Sequence, residues 1–311
     1  MELSPMIKIY KEPDLKNSYL IAGFPGPGGV GLGVASYLNR LGAEKFCEIE
    51  AYKFSSMPRS VIKGGVMEEL EFLDNEFSYW KSKGENDLII FKSEQPTFKK
   101  HEFINLALDV AEKFRVKRVY TSSGLIRPVR HTKEPWIFAA ANKPELKEYL
   151  ENFNLLPIKT GIGLTDLNAV LVGSARERNI EGVCLFSEVP VYVAPLPNPK
   201  GVKSILKLLS KMLSIDIDLV ELDRFIKQMD QEMEKLYENL PEDTKKTFVE
   251  SVESEAKLIS DLTEAEIENL FMEAEKDPSE FRISKLGTKL YSSGLFPKYE
   301  DRFFKLIQKK R

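Results

Sequence analysis

The chain is short of the residues that carry most covalent and metal chemistry. Its 311 residues include two histidines, His101 and His131, and two cysteines, Cys47 and Cys184. A structural zinc site draws on several clustered Cys or His ligands, and these four positions supply no such spacing. Each cysteine sits in an apolar strand-like run far from the other, which predicts two buried reduced thiols and no disulfide. A nucleophilic triad has little to draw on, because the G-x-S-x-G elbow is missing as well. No apolar run reaches the roughly 18 to 20 residues of a membrane span. Met1–Pro5 is not a basic segment leading into an apolar run, so a secretory signal is not expected. Neither sign of charge dominates. Lys and Arg total 45 against 48 Asp and Glu, a formal net charge of −3, and this balance does not advertise nucleic acid. The expectation is a cytoplasmic protein with no metal, no cofactor, no membrane and no nucleic-acid partner.

What the chain does have is glycine in one place. Gly23–Gly33 (GFPGPGGVGLG) holds six of the 18 glycines and lies between an apolar run, Tyr19–Phe24, and a helical pattern, Val30–Leu41. A strand, a glycine-rich turn and a helix point backbone N–H groups and a helix N-terminus at an anion. Gly26, Gly28 and Gly31 satisfy the G-x-G-x-x-G dinucleotide pattern, and Glu48 and Glu50 stand near the spacing of the ribose-binding acid. Pro25 and Pro27 count against that reading, since Pro27 removes a backbone donor where a pyrophosphate needs one. A phosphate-cradling NTPase loop is rejected: the positions that should carry Lys and Ser or Thr are Leu32 and Gly33.

The rest of the pattern alternates strands and helices. Lys45–Phe54 fits a strand, and Pro58–Trp80 fits one or two hairpins at a sheet edge, with Gly64-Gly65 and Asp74-Asn75 as turns. Asp87–Lys92 is a buried strand. Phe103, Leu106, Ala107, Val110, Ala111 and Phe114 form one apolar helix stripe, long enough to cross over a parallel sheet. Val116–Thr121 is the next strand, ending at Ser122-Ser123-Gly124. A strand near Trp136–Ala141 and a helix over Pro144–Phe153 follow. Gly161–Gly163 punctuates the chain, and Asp166 caps a helix running to about Asn179. Gly182–Phe186 and Val191–Ala194 read as strands. Pro195–Pro199 then leads into a helix over Val202–Leu213. Alternation of this kind argues an α/β domain with a mainly parallel sheet.

Beyond that point no strand pattern returns. Asp218–Asn239 is a long amphipathic helix with Leu219, Leu222, Phe225, Ile226, Met229, Met233 and Leu236 on one side. Glu242–Glu280 is acidic and helical, with Thr263 to Glu266 as a capping box. The expected division is an α/β domain over residues 1–236 and an all-α extension over 237–311, packed on the first domain or on a partner.

One candidate site emerges. In it, Gly26, Gly28 and Gly29 face the strand end at Ser122 and Ser123, with Arg127, Arg130 or His131 supplying positive charge and Glu94 nearby. Phosphate, a nucleoside or a nucleotide would be the ligand. The alternative for the same residues is a tight turn, a capped loop and a solvated basic segment.

The collinear order of the pieces carries a resemblance that no single motif does. GFPGPGGVGLGVASYL is followed by DLIIFKSEQP, VKRVYTSSGL, HTKEPWIFAAAN, a G-I-G segment, GVCLFSEVPVYVAPLPNPKGVKSILKLL and IDIDLVEL. Over residues 5 to 236 this resembles the proteasome assembly chaperone family in its archaeal and bacterial branch. The resemblance implies a three-layer α/β sandwich, similar in fold to purine nucleoside phosphorylases and assembled into homo-oligomers. It implies a non-enzymatic protein-binding role, with a proteasome subunit or another protein as client. Some members have been labelled as related to ATP-grasp ligases; no Mg²⁺-carboxylate set for that chemistry stands out in this chain. Family members often dock through a tail ending in a hydrophobic residue, tyrosine and one more residue. This chain ends Gln308-Lys309-Lys310-Arg311, so the resemblance does not extend to such a tail.

Overall fold

Alternating apolar residues in the central strands sort the core into two layers. In β2 (Tyr19–Gly23) and β7 (Leu88–Ser93), Leu20, Ala22, Ile89 and Phe91 point to one face, and Ile21, Leu88 and Ile90 point to the other. Every one of them is fully buried, the mark of strands covered by helices on both sides. The structure, a computed structural model, describes residues 3–50, 53–54, 59–71, 75–153, 155–158, 166–246 and 264–276, with isolated positions between 282 and 306. The Gly161–Gly163 punctuation and Thr263 of the expected capping box lie outside the described residues. By its internal contacts the chain divides into two units, Met1–Asn239 and Leu240–Arg311.

In the first unit the other strands are β1 (Ile7–Ile9), β3 (Glu44–Ile49), β4 (Arg59–Lys63), β5 (Val66–Glu71), β6 (Asn75–Trp80), β8 (Arg118–Arg127), β9 (Ile137–Ala141), β10 (Leu156–Pro157) and β11 (Glu181–Pro190). The main sheet runs β1-β3-β6-β7-β2-β8-β11-β9-β10. Its centre, β7-β2-β8-β11, is parallel, whereas β1, β3 and β6 on one flank and β9 on the other pair antiparallel. One face is covered by α2 (Lys100–Lys113) and α4 (Leu167–Glu177). Arg178 clamps that pair through Asp109 at 2.6 Å and Glu112 at 3.1 Å. The opposite face carries α1 (Val30–Arg40), α3 (Pro144–Glu151) and α5 (Pro199–Leu213). The result is a three-layer α/β sandwich: the alternation predicts its mainly parallel sheet, and the family resemblance implies its layering. A further helix, α6 (Val220–Glu238), packs along α5.

Several expectations are corrected. β8 does not end at Ser122-Ser123-Gly124. It runs on to Arg127 because β11 pairs with it in unbroken parallel register from Glu181 to Pro190, so the two serines are mid-strand. Val191–Val193 is a 3-10 turn, not a strand, because Pro190 closes β11 without a donor to continue the ladder. The β4–β5 hairpin stands as its own two-stranded ladder, not at the edge of the main sheet. Its turn, Gly64-Gly65, has φ of 58° and 83° at the two residues, the left-handed pair a tight hairpin demands. Asn75 begins β6 and so is not a turn residue, while Asp74 is outside the described residues. β3 stops at Ile49, short of the expected Phe54. On α6 only Leu222, Met233 and Tyr237 are buried, and Phe225 and Leu236 of the predicted stripe are exposed.

The two cysteines are free and buried as expected. Burial pushes the Cys47 thiol up to about 12 and raises Cys184 as well, which makes both poor nucleophiles. In the second unit, α7 (Glu264–Lys276) buries Ile267, Phe271 and Ala274 against Leu286, Leu290, Phe303 and Leu306. Arg302 lies 4.3 Å over the Phe271 ring and reaches Glu268 at 2.7 Å. Among the described residues, no helix is long and apolar enough to cross a membrane.

Glycine positions give a paired test of this packing. A Cβ on Gly31 would collide with the Ser122 carbonyl and lie 2.8 Å from the Phe24 carbonyl oxygen, whereas one on Gly173, inside α4, meets nothing within 4 Å. Chemical denaturation should show Gly31→Ala less stable by about 1–3 kcal/mol and Gly173→Ala more stable by about 0.5–1 kcal/mol. Equal effects at the two sites would refute the close approach.

Candidate functional site

Because β2, β7, β8 and β11 are parallel, their C-terminal ends and the loops that follow lie along one edge of the sheet. From β2 the chain turns into α1 on one face, and from neighbouring β7 into α2 on the other. That is a topological switch point, the usual place for a ligand in an open α/β sheet. The glycine loop sits over it, and its backbone shows what it does there.

Gly28 and Gly29 take φ of 64° and 58°, left-handed values open mainly to glycine. The Gly28 N–H donates to the Ala194 carbonyl at 2.7 Å, and the Asn198 N–H donates to the Gly28 carbonyl at 2.7 Å. Gly29 N–H donates to Gly26 C=O at 3.0 Å. Two of the loop's donors, those of Gly28 and Gly29, are therefore spent on the chain's own carbonyls. The glycines without positive φ serve close packing. A Cβ on Gly26 would stand 2.9 Å from Ser123 Oγ, and one on Gly124 would stand 2.6 Å from Val189 Cγ2 and inside contact distance of the Pro27 carbonyl. α1 thus meets β8 backbone to backbone.

Gly26 stands beside Ser123, whereas Gly28 lies against Val189 and Asn198. Ser122 and Ser123 are both buried, and no hydrogen-bond partner is within reach of Ser122 Oγ. Glu94 follows β7 half-buried, its carbonyl accepting from Ser93 Oγ at 2.8 Å. The three positive candidates turn toward carboxylates. Arg127 Nε lies 3.7 Å from buried Glu188 on β11. Arg130 reaches Glu234 on α6 at 3.1 Å and lies 4.1 Å over the Tyr237 ring.

His131 is 5% exposed and held on both sides. Its backbone N–H donates to the Tyr192 hydroxyl at 2.9 Å, Nδ1 lies 2.7 Å from the same oxygen, and Nε2 lies 3.1 Å from Glu234 Oε2. A hydroxyl that already accepts one N–H has its own proton to give to Nδ1, which puts the ring proton on Nε2 facing Glu234. Burial lowers the His131 pKa, against the opposing pull of Glu234 and Asp230, and burial also raises the Tyr192 hydroxyl. Lys200 completes the cluster through the His131 carbonyl at 2.6 Å and Asp230 at 3.3 Å. The space enclosed between this loop, Glu188, Asn198 and α6 is about 20 Å³, room for one water and no more. Among the described residues no three His, Cys, Asp or Glu side chains are grouped to hold a metal ion.

Residues missed by the sequence reading hold the edge together. Asn198 caps α5 by accepting from Gly201 N–H at 3.0 Å, and its Nδ2 donates to the Glu188 carbonyl at 3.3 Å. The Asn-Pro pair opening a helix was a readable signal for that cap. Glu188, Tyr192 and Glu234 carried none, because each acts on a loop distant in sequence.

A family model described as PAC2 family matches residues 20–237. The chain belongs to the PAC2 family. The protein MJ1210 of Methanocaldococcus jannaschii is 28% identical over 229 residues, 71% of this chain and 84% of that protein. Among solved structures, PbaB of Pyrococcus furiosus, described as an archaeal proteasome activator, superposes with a TM-score of 0.64 at 27% identity, covering 74% of this chain and 98% of PbaB. PbaA of the same organism, described as an archaeal homologue of proteasome-assembly chaperone, shares the fold at a TM-score of 0.54 and 18% identity over 75% and 98% of the two chains. The PAC2 match begins at β2 and ends within α6, so it spans the glycine loop and the whole parallel centre. By family the chain is related to the proteasome assembly chaperones.

The burial of His131 predicts a stability that depends on pH in mild acid. A histidine whose pKa is lowered in the folded state is neutral there, while the unfolded chain takes up a proton as the pH falls through about 6.5. Its contribution to stability is thus present above about pH 6.5 and fades below it. The stability advantage of the wild type over His131→Asn should shrink between pH 7.5 and pH 5.5 in denaturant titrations; a gap that widens on acidification would contradict the assignment.

Proposed function

We propose that this PAC2 protein is a non-enzymatic binding and assembly factor, working in the cytoplasm as a homo-oligomer on a protein client, with a proteasome subunit as the first candidate. The observation that carries the reading is the state of the glycine loop. Gly28 and Gly29 spend their N–H groups on Ala194 and Gly26, so the switch point is packed with the chain's own backbone. A ligand-binding enzyme of this architecture would keep that crevice open. The description of PbaB as a proteasome activator supports the choice of client.

Exposed apolar side chains support a protein-facing role. On the β4–β5 hairpin, Ile62 and Met67 are cross-strand partners, and with Val66 they are 63%, 72% and 67% exposed. Apolar residues grouped at the tip of a projecting hairpin mark a contact surface.

Light scattering on the purified protein should give an integer multiple of 35.5 kDa, and native mass spectrometry should detect a complex with proteasome α-subunits or the assembled core particle. Ile62→Asp with Met67→Asp should weaken self-association or client binding at least tenfold while leaving the circular dichroism spectrum unchanged. A monomer at all concentrations that retains no proteasome component would overturn the proposal.

A further inference from the structure

A second surface, on the far side of the β9 loop, has the makings of a peptide site. Between the end of α3, the start of β9 and the side of α5 lies a groove of about 510 Å³, open to solvent. That size accepts a ligand or a few side chains of a peptide. Trp136, Phe153, Leu155 and Leu208 give it an apolar lining, and Trp136 is 55% exposed.

The lining is held in place before anything binds. The Trp136 N–H donates to Glu188 Oε2 at 3.0 Å, and its carbonyl accepts from Glu188 N–H at 3.1 Å. Phe153 packs edge-on against Tyr149 at 5.1 Å, and Tyr149 ties α3 to α5 through the Met212 carbonyl at 3.2 Å. A tryptophan with its backbone pinned and its indole exposed offers a large area to bury on binding, the profile of an interface anchor.

The charge pattern says what would bind. Along α5, Lys200, Lys203, Lys207 and Lys211 recur every three or four residues and form one stripe. Its first half is matched by α6: Lys200 pairs with Asp230 and Lys203 with Asp223. Asp223 also feels Lys207. With α6 beginning at Val220, the match then runs out. Lys207 and Lys211 are exposed, line the groove, and form no ion pair among the described residues. Glu134 on the rim opposes a phosphate backbone, and two lysines are few for a nucleic-acid track.

We propose that this groove binds an acidic peptide segment of a protein partner, an apolar side chain seated against Trp136 and flanking carboxylates on Lys207 and Lys211. The segment continues the acid–lysine pairing that α6 begins. The inference rests on the reading of the chain as a protein-binding module, but hairpin variants test that reading and groove variants test this one.

The experiment selects a displayed library of random 12-residue peptides on the immobilised full chain. Enriched sequences should carry an aromatic or aliphatic residue flanked by Asp or Glu. A fluorescein-labelled consensus peptide, followed by anisotropy, should bind at least tenfold more weakly to Trp136→Ala and to Lys207→Glu/Lys211→Glu. Replacing its acids with Lys should restore binding to the doubly reversed variant, a charge swap that general damage to the fold does not produce. All the altered side chains are exposed, and circular dichroism checks that the variants fold. No enrichment, enrichment of basic peptides, or equal binding by the variants would overturn the proposal. So would tighter binding of a 12-nucleotide single strand than of the peptide, or a lowered oligomer mass in Lys207→Glu/Lys211→Glu with peptide binding intact, which would make the groove a contact between copies.

Discussion

Two stretches of backbone meet in this protein where there is no room for a methyl group, and the working edge of the molecule depends on that contact. Gly31 of α1 lies on the Ser122 carbonyl, and Gly124 of β8 lies on the Pro27 carbonyl. With the helix seated so close, the preceding turn is pressed onto the next loop, and the Gly28 peptide hydrogen bonds to both Ala194 and Asn198. Asn198 in turn caps α5 and holds β11 through the Glu188 carbonyl. A chain of contacts thus links the turn after β2 to α5. Glycine is required because a side chain would break the first link.

Charge does at the periphery what glycine does at the centre. The amphipathic α6 buries few apolar residues, and Phe225 and Leu236 remain exposed. Ion pairs tie it to its neighbours instead: Asp223 and Asp230 to lysines of α5, and Glu234 to Arg130 and His131 in the loop after β8. Exposed pairs of this kind are individually weak. His131 is the exception, buried, with both ring nitrogens engaged. The same basic residues that read as an anion pocket are the anchor points for a helix that lies far along the chain.

At this edge Arg127, Arg130 and His131 are turned toward carboxylates, while apolar groups at the hairpin and the β9 groove face outward. That division is the basis of the protein-binding role proposed above. The glycine signature fits the same picture: a strand, a glycine turn and a helix can serve an anion or a close packing contact, and here the Gly28 N–H is given to Ala194.

Much of this was legible in the residues. The strand alternation, the apolar stripe of α2, the Asp166 cap of α4, confirmed at 3.0 Å to Ala169 N–H, and the Pro144 start of α3 are local features whose physics is local. The order of the pieces was enough to place the family. Other features depended on partners distant in sequence. β8 ran past its glycine because β11 continued beside it, and the Val191 segment became a turn because β11 closed on Pro190. Gly28 lost its free donor to Ala194, and Arg127, Arg130 and His131 found Glu188 and Glu234. Sequence by itself determined the central strands, the helices α1 to α5 and the apolar faces they bury, because backbone sterics and burial act within a few residues. Only the tertiary structure decided whether the polar groups were free, since a hydrogen bond or ion pair is satisfied by whatever the fold brings within about 3 Å.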